Sequence, residues 1–396
     1  MMQVVLSLLC LLCMPILRSV SLADGSLESL HTKLNTYYDS FRPPLRVHFA
    51  GQLVTPVKSS NYHAKRCSHT DPGAAISLYQ NGAYGKYLGN QAVLVGSPCL
   101  FSDSLGNWLS NYFESMLCAN AAGMHYMTVA KIWEPQTNDA SEPFLTKLPA
   151  FVKHPAPVSG DTAKVKLATS CPCASLCHEK PNALWTRNRE VIKPLLWGAM
   201  EHHIKAKRLT NTTVLLSDLS TTKPGTVLPF VPDVAIHYRC GDNFVGHYGF
   251  LPFSAFRTLV PSDAKTIFVL AEKRSRKTAN KQHRAAKCDA IFNSMFSYLT
   301  QQFPRAKVVI RRGDDLYSDF IRLASAPVTI CSVSSFCLWP AFVNPHVAHF
   351  PLTKLIVRRD ASVNLGFNWI AQPEVLLGAQ YEHTQTNVLL EQLNKL

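Results

Sequence analysis

Charged side chains are scarce in this sequence, at 17% of residues, and acidic ones are scarcest, with 26 Asp and Glu against 40 Lys and Arg. So low a charge excludes a largely disordered chain. The shortage of acid leaves a basic surface suited to nucleotide phosphates, acidic glycans, anionic membranes or nucleic acid. No G-x-x-x-x-G-K-[ST] loop occurs, which excludes a P-loop kinase. No G-x-S-x-G elbow occurs, which removes the common hydrolase arrangement. Asp-x-Asp is missing from the strand ends where a Mg²⁺-dependent transferase would carry it, so metal-independent chemistry is expected and no metal ligand is nominated. Internal repeats and low-complexity blocks are missing too. Lys273–Lys287 carries seven Lys or Arg without interleaved aromatics. Nucleic-acid binding is therefore not expected of it. A solvated loop and helix face is the plain reading, and guidance of an acidic glycan is the functional one.

What is present begins with length and apolar content. A chain of 396 residues, 47% hydrophobic, can bury the cores of two domains. Val4–Leu17 is almost wholly apolar, is interrupted by Pro15, and is followed by Ser21-Leu22-Ala23. It is shorter than the ~20 residues of a membrane-spanning helix. Residues 1–23 read as a signal peptide or a short membrane anchor; an N-terminal core helix is the remaining alternative. A retained anchor would associate the chain with a membrane. No later stretch is long and apolar enough to span one. Of twelve cysteines, Cys10 and Cys13 fall in this leader, and the even remainder fits disulfides in an oxidising lumen. Cys171, Cys173 and Cys177 match no standard zinc spacing and are read as disulfide partners. Asn211-Thr212-Thr213 is a glycosylation sequon. The expected location is the secretory pathway, in the Golgi or endoplasmic reticulum lumen.

The pattern along the chain predicts an N-terminal α/β domain over 24–215 and a C-terminal Rossmann-like domain over 216–396. In the first, Gln91–Leu100 contains a strand pattern, Asn107–Ala122 and Asn188–Lys207 read as helices, and 133–182 reads as loops. In the second, strands are predicted at Val234–Tyr238, Thr266–Leu270, Val308–Ile310 and Val328–Cys331. Helices are predicted at Asp289–Gln302, Tyr317–Ala324 and Ser335–Phe342. Alternation of this kind implies a parallel sheet covered on both faces. Ligands of such sheets sit beyond the carboxyl ends of the strands.

Those ends carry the candidate chemistry. The first strand runs into His237-Tyr238-Arg239-Cys240-Gly241-Asp242. An Arg there suits a diphosphate, because its guanidinium forks onto two oxygens and stays charged. Asp242 would orient it or close the turn, and an Arg–Asp pair capping the turn is the structural alternative. The fourth strand ends in Cys331-Ser332-Val333-Ser334-Ser335-Phe336. Its hydroxyls and helix N-terminus make either a phosphate site or ordinary N-caps. Leu105-Gly106-Asn107-Trp108 is a turn at which a ligand could approach the backbone closely.

His237-x-Arg239-x-Gly241-Asp242 resembles the H-x-R-R-[GT]-D signature of the α1,2-, α1,6- and protein O-fucosyltransferase superfamily. Gly246–Pro252 is similar to the G-x-E-x-x-F-x-P stretch of the α1,6 enzymes. Asp319–Ser335 resembles the family's Asp, apolar strand and Ser-Ser pair. Leu105-Gly106-Asn107 resembles its L-G-N-x-L segment. The resemblance implies a GT-B fold, two Rossmann-like domains facing across a cleft, with the terminal helix, Glu374–Leu396, packing back on the first. It implies inverting, metal-independent transfer from GDP-fucose, with no other cofactor, to a glycan or glycoprotein acceptor. Another nucleotide-sugar donor and an inactive lectin-like relative are the alternatives. By the same resemblance Arg239 holds the β-phosphate and assists departure of GDP, and His237 and Asp319 read guanine. Ser334, Ser335 and the Phe336 backbone bind phosphate, and Asn107 lines the nucleotide cleft; Asp242, read from its place beside Arg239, is also nominated for the donor site. Two positions depart from the pattern: Cys240 replaces an Arg and His247 replaces an acidic residue. An imidazole can still accept a proton near neutral pH, so His247 is the candidate base.

Overall fold

The computed structural model describes residues 93–96, 105–121, 124–128, 143–149, 151–152, 165–168, 185–186, 188–209, 229–240, 248–272, 279–313, 315–352, 365–370 and 376–395. The leader, Cys171, Cys173, Cys177, Asn211, Asp242 and His247 lie outside them.

The first unit holds β1 (Val93–Gly96), α1 (Leu105–Ala121), β2 (His125–Thr128), α2 (Pro143–Thr146), β3 (Phe151–Val152), β4 (Val165–Ala168) and α3 (Arg189–Lys207). Strand order is β3-β2-β1-β4, with β1 parallel to β2 and β4, and β3 antiparallel at the edge. The stretch 133–182, expected to be loops, therefore supplies α2, β3 and β4. Elements of two to four residues are too short to show periodicity. Apolar residues of α1 recur at helical spacing, and Leu109, Tyr112, Phe113, Met116 and Leu117 are all buried.

The second unit continues with β5 (Val234–His237), β6 (Gly249–Phe250), α4 (Ser254–Leu259), β7 (Thr266–Ala271), α5 (Ala279–Gln302), β8 (Lys307–Arg312), α6 (Leu316–Ser325), β9 (Val328–Cys331), α7 (Ser335–Val343), β10 (Val347–Pro351), β11 (Asn368–Ile370), β12 (Leu376–Leu377) and α8 (Thr386–Asn394). Six of these strands form a fully parallel sheet ordered β11-β10-β9-β5-β7-β8. Burial on both faces explains the unbroken apolar runs of its inner strands. Ala235 and Phe268 point into one apolar cluster with α1, α3, α6 and α7; Val234, Ile236 and Ile267 point into the other, with α4 and α5. The fold is α/β, as expected, with a four-stranded mixed sheet in the first unit and a six-stranded parallel sheet in the second.

The units are in direct contact. In α3, Arg189 Nη2 donates to Phe342 O at 3.0 Å and Trp197 Nε1 donates to Val343 O at 3.3 Å. His203 Nε2 lies 2.9 Å from Asp315 Oδ2. The terminal helix corrects an expectation. α8 buries Leu389 and Leu393 in the second unit's own cluster, Phe253 N donates to Leu393 O at 2.8 Å, and Asn394 Nδ2 donates to Ser294 Oγ at 3.1 Å. It therefore packs on α4 and α5 instead of on the first unit. Its apolar side chains fit the face that α5 leaves uncovered.

Candidate functional site

Strand order locates the site. The chain leaves β5 to build β7 and β8 on one side, then crosses to place β9, β10 and β11 on the other. The carboxyl ends of β5 and β9 therefore bound the crevice at the switch point of a doubly wound sheet, where such folds place ligands. His237 pairs with Cys331 in the ladder, and just beyond it Arg239, two residues after His237, meets Ser332, the residue after Cys331.

The crevice is tied together by one hydroxyl. Ser332 Oγ accepts from Arg239 N at 3.0 Å and lies 3.0 Å from His237 Nδ1; Ser332 N donates to His237 O at 2.9 Å. The His237 ring packs 5.4 Å from the Phe336 ring. Burial, helped by the neighbouring Arg239 charge, lowers its pKa to about 3, so it is neutral at physiological pH. Arg239 is half-buried, with its guanidinium 4.6 Å from the centre of the Tyr248 ring. That cation–π contact holds the head group against the ring face and fixes its direction.

Alternation along the strand end explains the departure at Cys240. Tyr238 and Cys240 point into the core, where Tyr238 Oη donates to Leu251 O at 3.0 Å and Cys240 forms a disulfide with Cys288 of α5. The position that carries the second Arg in the resembling motif serves here to anchor the segment behind Arg239. A second disulfide, Cys331–Cys337, closes the turn Ser332–Phe336. Sequence reasoning favoured disulfides without pairing them; one pair ties the residue after Arg239 to α5 and the other brackets the Ser332–Phe336 turn.

Within that turn, Ser334 is the N-cap of α7, and its Oγ accepts from Phe336 N at 3.2 Å. The Phe336 N–H expected to serve a phosphate is thus engaged by the cap, while the half-buried Ser335 sits at the first helical position. Gly106 abuts this turn. A Cβ there would lie 2.2 Å from Ser335 C and 2.4 Å from Phe336 N, and Trp339 Nε1 donates to Gly106 O at 3.1 Å. The close approach that the sequence assigned to a ligand is made by the chain's own backbone. Asn107 follows Gly106 and is exposed in the first turn of α1.

Asp319 is engaged differently. It is 7% exposed in the first turn of α6, and its Oδ1 accepts from Arg322 Nη1 at 2.8 Å. Burial raises its pKa to about 6 against the pull of Arg322 and Arg311. Its link to the crevice runs through Phe320, whose ring meets Phe336 edge-on at 6.1 Å. Ser332, Tyr248 and Glu114 were missed as functional candidates. The signal for Ser332 was its place directly after a strand at the switch point. Glu114 lies two turns along α1 from Asn107, and burial pushes its pKa up to about 7.

No protein-family model and no curated protein matches the chain. Solved structures of POFUT1 are similar to it. A complex with GDP aligns at TM-score 0.32 and 12% identity, covering 65% of this chain and 95% of that one. A complex with GDP-fucose aligns at TM-score 0.33 and 12% identity, covering 65% and 96%. Among the described residues, no cluster of His, Cys, Asp or Glu has the geometry to hold a metal, and no helix is long and apolar enough to cross a membrane.

Proposed function

We propose that this chain is a nucleotide-sugar-dependent glycosyltransferase of the fucosyltransferase type, using GDP-fucose. The observation that supports it best is the convergence of Arg239, His237 and the Ser332–Phe336 turn at the switch point between β5 and β9, with Gly106 of the first unit closing on the turn. This places a fixed cation, an uncharged imidazole and a helix N-terminus where a doubly wound fold receives a dinucleotide or nucleotide sugar.

In this reading Arg239 binds the diphosphate and takes up the negative charge that grows on it as the bond to the sugar breaks. The acceptor hydroxyl attacks the anomeric carbon from the opposite face, the electron pair of the broken bond leaves with GDP, and the configuration inverts. The acceptor's proton passes to a base, assigned from the sequence to His247. The guanidinium supplies the charge stabilisation for which other transferases use a metal. The acceptor is a glycan or glycoprotein, and the setting is the lumen of the secretory pathway, which the two disulfides favour.

Thermal-shift measurements against GDP, GDP-fucose and UDP sugars test the reading. Stabilisation by GDP and GDP-fucose, with UDP sugars inert, is expected. Stabilisation by UDP sugars alone would transfer the site to another donor.

A further inference from the structure

Ser332 is 1% exposed, and among the described residues its hydroxyl has two hydrogen-bond neighbours, each 3.0 Å away: Arg239 N and His237 Nδ1. A hydroxyl carries one proton and two lone pairs. The Arg239 amide can only donate, so it occupies a lone pair of Oγ. Among the described residues the hydroxyl proton then has one acceptor within reach, Nδ1. That nitrogen must present its lone pair. A neutral imidazole with an unprotonated Nδ1 carries its proton on Nε2.

We infer that Ser332 is a positioning residue that fixes His237 as the Nε2–H tautomer, so that the side chain offers a hydrogen-bond donor to an acceptor atom of the bound nucleotide. Burial, with the neighbouring Arg239 charge, keeps the His237 ring neutral, which a single tautomer requires. The ladder makes the arrangement rigid. The Ser332 amide donates to His237 O at 2.9 Å, so the backbones that carry the two side chains are locked in register. The Cys331–Cys337 disulfide holds the far side of the turn. A fixed donor without charge favours a base carbonyl or ring nitrogen over an exocyclic amino group, which selects among nucleobases in a way that a mobile tautomer would not. The ligand side of the inference rests on the nucleotide-sugar reading; the tautomer itself does not.

Nitrogen NMR of histidine-labelled protein tests it, with the His237 signal assigned by its loss in His237→Gln. The free wild-type protein should show His237 neutral and protonated on Nε2 from pH 5.5 to 8. In Ser332→Ala that preference should be lost, and GDP should bind about fivefold more weakly, the effect of one neutral hydrogen bond. In wild type, GDP should move the Nε2 resonance and leave Nδ1 nearly unchanged. An Nδ1–H tautomer or an imidazolium in the free protein would overturn the inference, even if Ser332→Ala fails to fold. An unchanged tautomer in a folded Ser332→Ala protein would overturn the role of Ser332. If GDP binds without moving Nε2, the donor role falls. Failure of wild type to bind GDP would instead remove the nucleotide reading, while the free-protein spectrum still decides the tautomer.

Discussion

Replacing Gly106 with Ala sets two well-known effects against each other, and the structure decides the sign. Gly106 is in the first turn of α1, where Ala is ordinarily better by ~0.5–1 kcal/mol. An open turn waiting for a ligand would accept the methyl group and become more stable. Here the methyl carbon would lie 2.2 Å from Ser335 C, 2.3 Å from Ser335 O and 2.4 Å from Phe336 N, whereas ordinary contact begins at 3.4 Å. Main-chain atoms cannot rotate away, so α1 and α7 must separate by about 1 Å, which strains the Trp339 bond to Gly106 O. Overpacking of this kind costs ~1–3 kcal/mol, and a backbone clash belongs at the upper end. The net effect is a destabilisation of about 2 kcal/mol, or roughly 4–8 °C in Tm if the chain follows the scaling of domains of 150–250 residues. Differential scanning calorimetry of the two proteins measures it. A Tm equal to or above wild type would refute the packing of the first unit on the Ser335–Phe336 turn.

The other consequences can be checked as directly. The double variant Cys331→Ala/Cys337→Ala should stay folded but lose hydrogen-exchange protection at 332–336 and bind GDP at least threefold more weakly; unchanged protection there would show that the disulfide does not order the turn. Tyr248→Leu should weaken GDP binding while Tyr248→Phe keeps it, since the ring face under Arg239 contributes ~0.5–2 kcal/mol; equal losses in both would assign the effect to the hydroxyl instead. The buried Glu114 carboxyl has a folded pKa of about 7 above its ordinary 4.5, so its contribution to stability is fully present below pH 4.5 and is lost as pH rises through 7. Wild type should therefore lose up to about 3 kcal/mol relative to Glu114→Gln between pH 5 and 8 in urea titrations; parallel profiles would contradict this. His237 acts in the opposite direction. Its folded pKa lies below its ordinary value, so the stability it contributes above pH 6.5 should fade as pH drops toward 3.

Fold legibility followed element length. The runs around Val234, Thr266 and Val328 are apolar on both faces because both faces are covered, and they announced parallel strands. α1 and α3 announced themselves by apolar residues at helical spacing. β3 and β4 did not, because two or four residues hold no period. The position of α8 was also hidden, since an amphipathic helix shows that it packs but not on which neighbour. At the site, Arg239 and the Ser332–Phe336 segment were visible because chemistry-bearing residues stood at strand ends. That β5 and β9 are neighbours, and that the crevice therefore lies between them, required the strand order. Cys240 was read as a lost charge because sequence does not say which way a side chain points. Its partner Cys288 lies 48 residues away. Gly106 was read correctly as a close approach and wrongly as to what approaches.

GDP binding by wild type and by Arg239→Ala, measured by isothermal titration calorimetry, tests the central claim most directly. A charged hydrogen bond to phosphate contributes ~1.5–3 kcal/mol, so the variant should bind GDP at least about tenfold more weakly while keeping the wild-type Tm. Equal affinity of the two correctly folded proteins for GDP, or the failure of wild type to bind it, would contradict a nucleotide-sugar site at the ends of β5 and β9.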